Sequence, residues 1–177
     1  VVGSTAAINV GSLVLSASPI AVDGNGNFLG SNGSTLTFNQ AINPNAAITT
    51  AAGSQINVFG SGAYVALVAP QITHRGTIRT DRAAALVAAE SATVNFSPDG
   101  LFDMQVTVGA EAGERLHIDG GTITRNANTP EGTDDPAYLV PVAKNDGVTM
   151  LIENGGSVGF ETATSATVED NVVVLAG

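Results

Sequence analysis

Cysteine and tryptophan are absent from this chain, and lysine occurs once. Without cysteine there are no disulfides, no thiol chemistry and no thiolate metal sites. Charge of either sign is scarce: six basic and sixteen acidic residues leave a net charge of -10, with charged residues only 12% of the 177. A nucleic-acid binder needs a basic stripe that displaces counterions, and this chain has none to offer, so nucleic acid is not an expected partner. Long apolar runs are missing too, and no stretch approaches the length of a spanning helix. Neither does a basic segment followed by an apolar one open the chain, so any export signal would lie upstream of Val1. Val1 and the apolar close "VVVLA" before Gly177 are read as cut ends, making residues 1–177 a single domain, either a processed chain or part of a longer protein.

Ala, Val, Thr, Ser, Asn and Gly are what is abundant. Val, Ile and Thr suit a pleated surface, and Gly and Asn suit turns with positive φ. No helical period is sustained, whereas short strand-like runs alternate with Gly, Asn, Asp or Pro. The expected class is all-β.

Short words recur along the chain. "INV" stands at Ile8–Val10 and Ile56–Val58, "GTI" at Gly76–Ile78 and Gly121–Ile123, and "SATV" at Ser91–Val94 and Ser165–Val168. "ALVA" stands at Ala66–Ala69 and again, nineteen residues later, at Ala85–Ala88. A sandwich or barrel predicts hairpins with tight Asn-Gly or Asp-Gly joints. A degenerate repeat of roughly twenty residues instead predicts a right-handed parallel β-helix, in which each coil lays short strands on those of the coil before. That reading stacks Leu67 over Leu86 and Val68 over Val87, and puts a corner at Pro70. About nine coils at ~4.8 Å spacing would give a rod on the order of 40 Å. Two stretches interrupt the pattern and are read as excursions from the coils, 22–35 and 109–138, the second with an exposed loop over Asn126–Pro136.

Gly62–Ile78, "GAYVALVAPQITHRGTI", together with "INVGSLVLSAS" before it, resembles the filamentous haemagglutinin family of two-partner secretion exoproteins. The closing "SVGFETATSATVEDNVVVLAG" looks like another coil of the same kind. The resemblance implies a β-helix within or beside the secretion domain of a large bacterial adhesin. It implies an outer-membrane transporter as partner during export, a receptor or glycan on a host or neighbouring cell, and a secreted or cell-surface location. The family's Asn-Pro-Asn-Gly motif would precede Val1. Asn43-Pro44-Asn45 is followed by Ala46 and does not inherit that role.

Candidate sites reduce to plain readings. "DGNGN" (Asp23–Asn27) starts like a calcium loop but has Phe28 where Gly and Ser34 where Glu would be needed. His74 and His117 have no partner at zinc spacing and are read as exposed strand residues. Arg75, Arg79 and Arg82 gather around Asp81, which suggests outer-face pairing with Asp81 and Glu90. Glu131, Asp134 and Asp135 read as solvated loop charge, and Asp99-Gly100 as a turn. No catalytic residue, metal or cofactor is expected. The chain reads as a structural or adhesive segment capable of end-to-end self-association, and not an enzyme. The alternative is a carbohydrate-active β-helix protein, lyase-like or sugar-binding, which the missing Trp and the two Tyr supply poorly.

Overall fold

The computed structural model describes residues 1–28, 34–39, 43–60, 62–96, 102–109, 116–126, 138–143, 150–154, 156–158, 165–169 and 172–176. The strands are β1 (Ala7–Val10), β2 (Ser12–Ser16), β3 (Thr35–Phe38), β4 (Ala47–Thr50), β5 (Gln55–Val58) and β6 (Tyr64–Ala69). They continue as β7 (Gln71–His74), β8 (Thr77–Thr80), β9 (Ala83–Phe96), β10 (Phe102–Gly109), β11 (Leu116–Asp119) and β12 (Thr122–Arg125). The last are β13 (Tyr138–Ala143), β14 (Met150–Glu153), β15 (Ser157–Val158), β16 (Ser165–Glu169) and β17 (Val172–Ala176). No helix occurs among the described residues, and the protein is all-β.

Three parallel sheets organise these strands. The first runs β4-β7-β11-β14, the second β1-β5-β8-β12-β15, and the third joins β2, β6, β9 and β13. In chain order the strands visit the sheets cyclically, so that β4, β5, β6 are followed by β7, β8, β9 in the same sequence of sheets. A parallel pair needs a crossover, and here the crossover is the passage through the other two sheets. Pro70 sits at one such corner, between β6 and β7.

The recurrent words pair with one another. Ile8, Asn9 and Val10 lie beside Ile56, Asn57 and Val58. Thr77 and Ile78 lie beside Thr122 and Ile123. Leu67 and Val68 lie beside Leu86 and Val87. "SATV" behaves differently: the closing stretch opens with β15, which adds to the second sheet beside β12, but β16 then pairs antiparallel with β17. The longest parallel ladder holds five strands among the described residues, or about 20 Å, in place of nine coils. The chain between passes goes elsewhere, which is why the count is smaller.

Much of it goes into a second, antiparallel layer. Strand β9 is fourteen residues long. Its first part, Ala83–Ala88, joins the third sheet, and its later part pairs antiparallel with β3 and with β10. Ser91 Oγ donates to the Phe38 carbonyl (3.1 Å) and Thr35 Oγ1 to Asn95 Oδ1 (2.8 Å), fastening β3 to it. Of the expected excursion 22–35, residues 29–33 lie outside the described residues. Inside the expected excursion 109–138, β11 and β12 are strands of the first and second sheets. Residues 127–137, with Glu131, Asp134 and Asp135, and residues 97–101, with Asp99, lie outside the described residues.

Two apolar clusters result. One draws Ile72 and Ile118 from the first sheet, Ile56, Ile78 and Ile123 from the second, and Leu67 and Leu86 from the third. The other lies between the third sheet and the antiparallel layer, and packs Val68, Ala85 and Val87 against Leu36, Phe38 and Val94. Strand β6 is therefore covered on both faces. Side chains alternate across a strand, and a strand covered on both sides reads as a continuous apolar run. "YVALVA" is apolar for that reason more than for matching the strands beside it. Leu86, 1% exposed between these packed passes, should be costly to truncate. Leu86→Ala is expected to lower the unfolding free energy by about 2–5 kcal/mol in urea titration. Ile8→Ala, in the half-buried first pass, should cost clearly less.

Candidate functional site

The outward-facing polar side chains of the first and second sheets are linked from pass to pass. Asn57 Nδ2 donates to Asn9 Oδ1 (2.9 Å), Thr122 Oγ1 to Thr77 Oγ1 (3.4 Å), and Gln71 Nε2 to Asn45 Oδ1 (3.4 Å). Alternation dictates which residues do this: Ile56 and Ile78 turn inward, so Asn57 and Thr77 turn out.

An ion pair extends this ladder at the corner between the two sheets. Arg75 Nε donates to Asp119 Oδ2 at 2.7 Å, and Asn154 Nδ2 donates to Asp119 Oδ1 at 2.6 Å. Asn154 holds a left-handed backbone (φ 52°), a conformation Asn tolerates better than most residues. The Asn154 bond first, and the Arg75 bond second, hold the Asp119 carboxyl below its usual 3.8. Arg75 thus meets Asp119, forty-four residues away in sequence, and not the nearby Asp81.

Asp81 has its own corner. Its Oδ2 accepts from the Gly60 N–H (2.8 Å) and its Oδ1 from Asn126 Nδ2 (2.9 Å). The same Asn126 amide donates to the Val58 carbonyl (2.9 Å), and Asn126 is 8% exposed. Expected at the start of an exposed loop, Asn126 instead closes a buried bond between passes. The three arginines, within eight residues of sequence, are distributed by the fold: Arg75 before β8, Arg79 on its outward side, Arg82 after it. Glu90 is buried (6%), where β9 passes from parallel to antiparallel pairing, and does not lie on an exposed outer face.

His74 also overturns its expectation. It is fully enclosed, because it shares the inward parity of Ile72. Its Nδ1 lies 2.6 Å from Thr50 Oγ1 and its Nε2 3.0 Å from the Thr122 carbonyl. A carbonyl only accepts, so Nε2 carries the proton and Nδ1 accepts from the threonine hydroxyl. Thr50 Oγ1 in turn accepts from the Arg75 N–H at 3.3 Å. Burial pushes the His74 pKa below 6.5, with the Thr122 bond working against it. His117 stands outward on β11 and is half-buried.

Asp23 closes its own turn. Its Oδ1 accepts from the Asn25 and Asn27 N–H groups (2.8 Å each) and its Oδ2 from Asn27 Nδ2 (3.1 Å). The Asn27 backbone bond is the foremost cause holding its carboxyl below 3.8. Among the described residues no three His, Asp or Glu side chains gather where a metal could sit. The arrangement binds pass to pass, and the hydroxyl–imidazole pair of Thr50 and His74 is enclosed within it. Sequence reasoning missed His74 and Asn126 as buried links, although the Ile72-Thr73-His74 alternation signalled the first. Compared with family models, with curated proteins and with solved structures, the chain matches none.

Proposed function

We propose that the chain is a structural and adhesive segment of a secreted bacterial surface fibre, of the filamentous haemagglutinin type, wound as a right-handed parallel β-helix. The observation that carries this reading is the cyclic passage of the strands through three parallel sheets around one apolar core. A helix of this kind makes a stiff rod from backbone ladders and apolar stacks, and asks little of charge. The outward rows of Asn, Thr and Gln and the spending of Arg75, Asp81 and Asn126 on links between passes fit a scaffold with no catalytic role. In the parent protein an outer-membrane two-partner secretion transporter would export it, and its receptor would lie on a host or neighbouring cell. End-to-end association of the rods belongs to the same reading.

The test is retention of cells on beads coated with the purified chain. Retention above an albumin-coated control is the expected result. No retention, together with release of unsaturated sugar ends from an acidic polysaccharide, would reject the reading in favour of a lyase.

A further inference from the structure

Three passes of the chain meet at His74. Its ring lies between the Thr50 hydroxyl at the end of β4 and the Thr122 carbonyl at the start of β12, and His74 is itself the last residue of β7. The Thr50 oxygen is already shared. It accepts from the Arg75 N–H at 3.3 Å and faces the Gly76 N–H at 3.5 Å, while its own hydrogen goes to His74 Nδ1. A hydroxyl oxygen has two lone pairs and one hydrogen, so this one is fully used. A proton added at Nδ1 would set a third donor against it and leave the hydroxyl hydrogen with no acceptor in place. Gly121 backs the ring so closely that a Cβ there would stand 2.5 Å from Cδ2, which leaves the ring no room to turn within the corner.

No ionisable side chain faces the ring from the described strands around it. β4 and β5 carry none. Arg79 on β8 and His117 and Asp119 on β11 stand outward, and Glu153 on β14 is in register with Asp119. Arg125 lies at the far end of β12, beside Thr80. Tyr64 on β6 shares the parity of Val68, on the outer face of the third sheet, and Glu90 on β9 lies toward the Pro70 end of β7. Arg75 turns its guanidinium to Asp119 on the outer side. An imidazolium in the corner would therefore have no counter-charge, whereas outside it Asp119 follows Ile118, the neighbour of His74 across the ladder.

We propose that the corner joining Thr50, His74 and Thr122 is an acid-opened latch: when His74 takes up a proton its ring leaves the corner, and the first and second sheets part there while their ladders stay intact. The bonds broken are those of the corner, Arg75 N–H to the Thr50 carbonyl and Thr122 N–H to the Gly76 carbonyl, both 2.9 Å. Strands β7 and β8 keep their neighbours β4, β11, β5 and β12. Partial openings of this kind lie below global unfolding in free energy. The latch goes beyond the fibre reading and does not depend on it.

Native-state hydrogen exchange of the 177-residue chain at pH 7.5 and pH 5, in low concentrations of urea, tests this. The open corner titrates at the ordinary 6.5 and the closed one lower, so opening should rise by about tenfold or more over that range. At pH 5 the Arg75 and Thr122 amides, corrected for intrinsic rates, should exchange faster than Leu67 in β6. Their exchange should depend weakly on urea, because a local opening exposes little surface, whereas Leu67 should follow the full slope of global unfolding. His74→Leu should remove the acid response at the corner, and His117→Gln should leave it. Wild-type exchange decides by itself if His74→Leu does not fold. A corner whose protection is indifferent to acid overturns the proposal. So does a corner with the rate and urea slope of Leu67, since acid then acts through global unfolding alone, and so does an acid response that survives in His74→Leu.

Discussion

Gly121→Ala is expected to cost about 3 kcal/mol or more, or to prevent folding, while Gly62→Ala should change stability by no more than about 0.5 kcal/mol. Both substitutions add one methyl group to a loop between strands. At Gly62 a Cβ would meet nothing within 4 Å. At Gly121 it would meet the carbonyl of His74, with the carbonyl carbon at 2.8 Å and the ring Cδ2 at 2.5 Å. Two of those three atoms are backbone and cannot swing aside. Gly76 occupies the same corner one pass earlier, where a Cβ would meet the Ser54 Oγ, the Ser54 carbonyl oxygen at 2.8 Å and the Ala51 carbonyl oxygen at 3.1 Å. The corners sit so close because each is hydrogen-bonded to the next: Thr77 N–H to the Ser54 carbonyl, Thr122 N–H to the Gly76 carbonyl, and Ser157 N–H to the Gly121 carbonyl, all 2.9 Å. Neither Gly76 nor Gly121 has a positive φ, so the requirement is space and not conformation. Denaturant titration of Gly76→Ala, Gly121→Ala and Gly62→Ala, read together, checks it. Equal effects at all three would reject the close stacking of corners.

Acid should weaken the fold through His74. Its pKa is lowered in the folded state by burial, from an ordinary value of 6.5. Below pH 6.5 the unfolded chain therefore takes up a proton that the folded chain refuses until the pH has fallen further. The contribution is complete above pH 6.5 and is lost as the pH falls toward the lower folded-state value. Geometry supplies the reason. Protonation at Nδ1 would turn an acceptor into a donor facing Thr50 Oγ1, and the hydroxyl would lose the nitrogen it donates to. Thermal melting followed from pH 7.5 to 5 should show a falling midpoint that His74→Leu abolishes, leucine matching the Ile118 that lies beside His74. Thr50→Val alone should cost about 1–3 kcal/mol, since it strands a buried imidazole nitrogen. A wild-type midpoint flat through that range would reject the buried neutral histidine.

The stacking partners were legible in short repeated words because inward positions recur with the same parity at each pass. Ile8 over Ile56, Ile78 over Ile123 and Leu67 over Leu86 follow from that alone. What covers the outside was not legible. "AAALVAA" and "ATVNFS" read as two short strands, and nothing in either shows that one strand, Ala83–Phe96, joins them and changes from parallel to antiparallel pairing. The covering of Val68 and Val87, on the outer face of the third sheet, depends on β3, which precedes them by some thirty to fifty residues. His74 was misread because residue type was weighed above alternation, and Asn126 because its neighbours have loop composition. The Arg75–Asp119–Asn154 link joins three passes, so no local window of sequence contains it.

The stacking of passes underlies the fibre reading, and a cysteine-free chain allows it to be measured directly with introduced labels. Thr49, Thr73 and His117 lie side by side in the first sheet, outward-facing, although twenty-four and forty-four residues separate them in sequence. Nitroxides placed in pairs at these positions should report adjacent backbones for 49/73 and 73/117, about 4.8 Å apart, and about twice that for 49/117. Strong dipolar broadening in the first two pairs and weaker broadening in the third is the predicted result. Spectra for 73/117 no broader than the sum of the single labels would contradict the account at its centre.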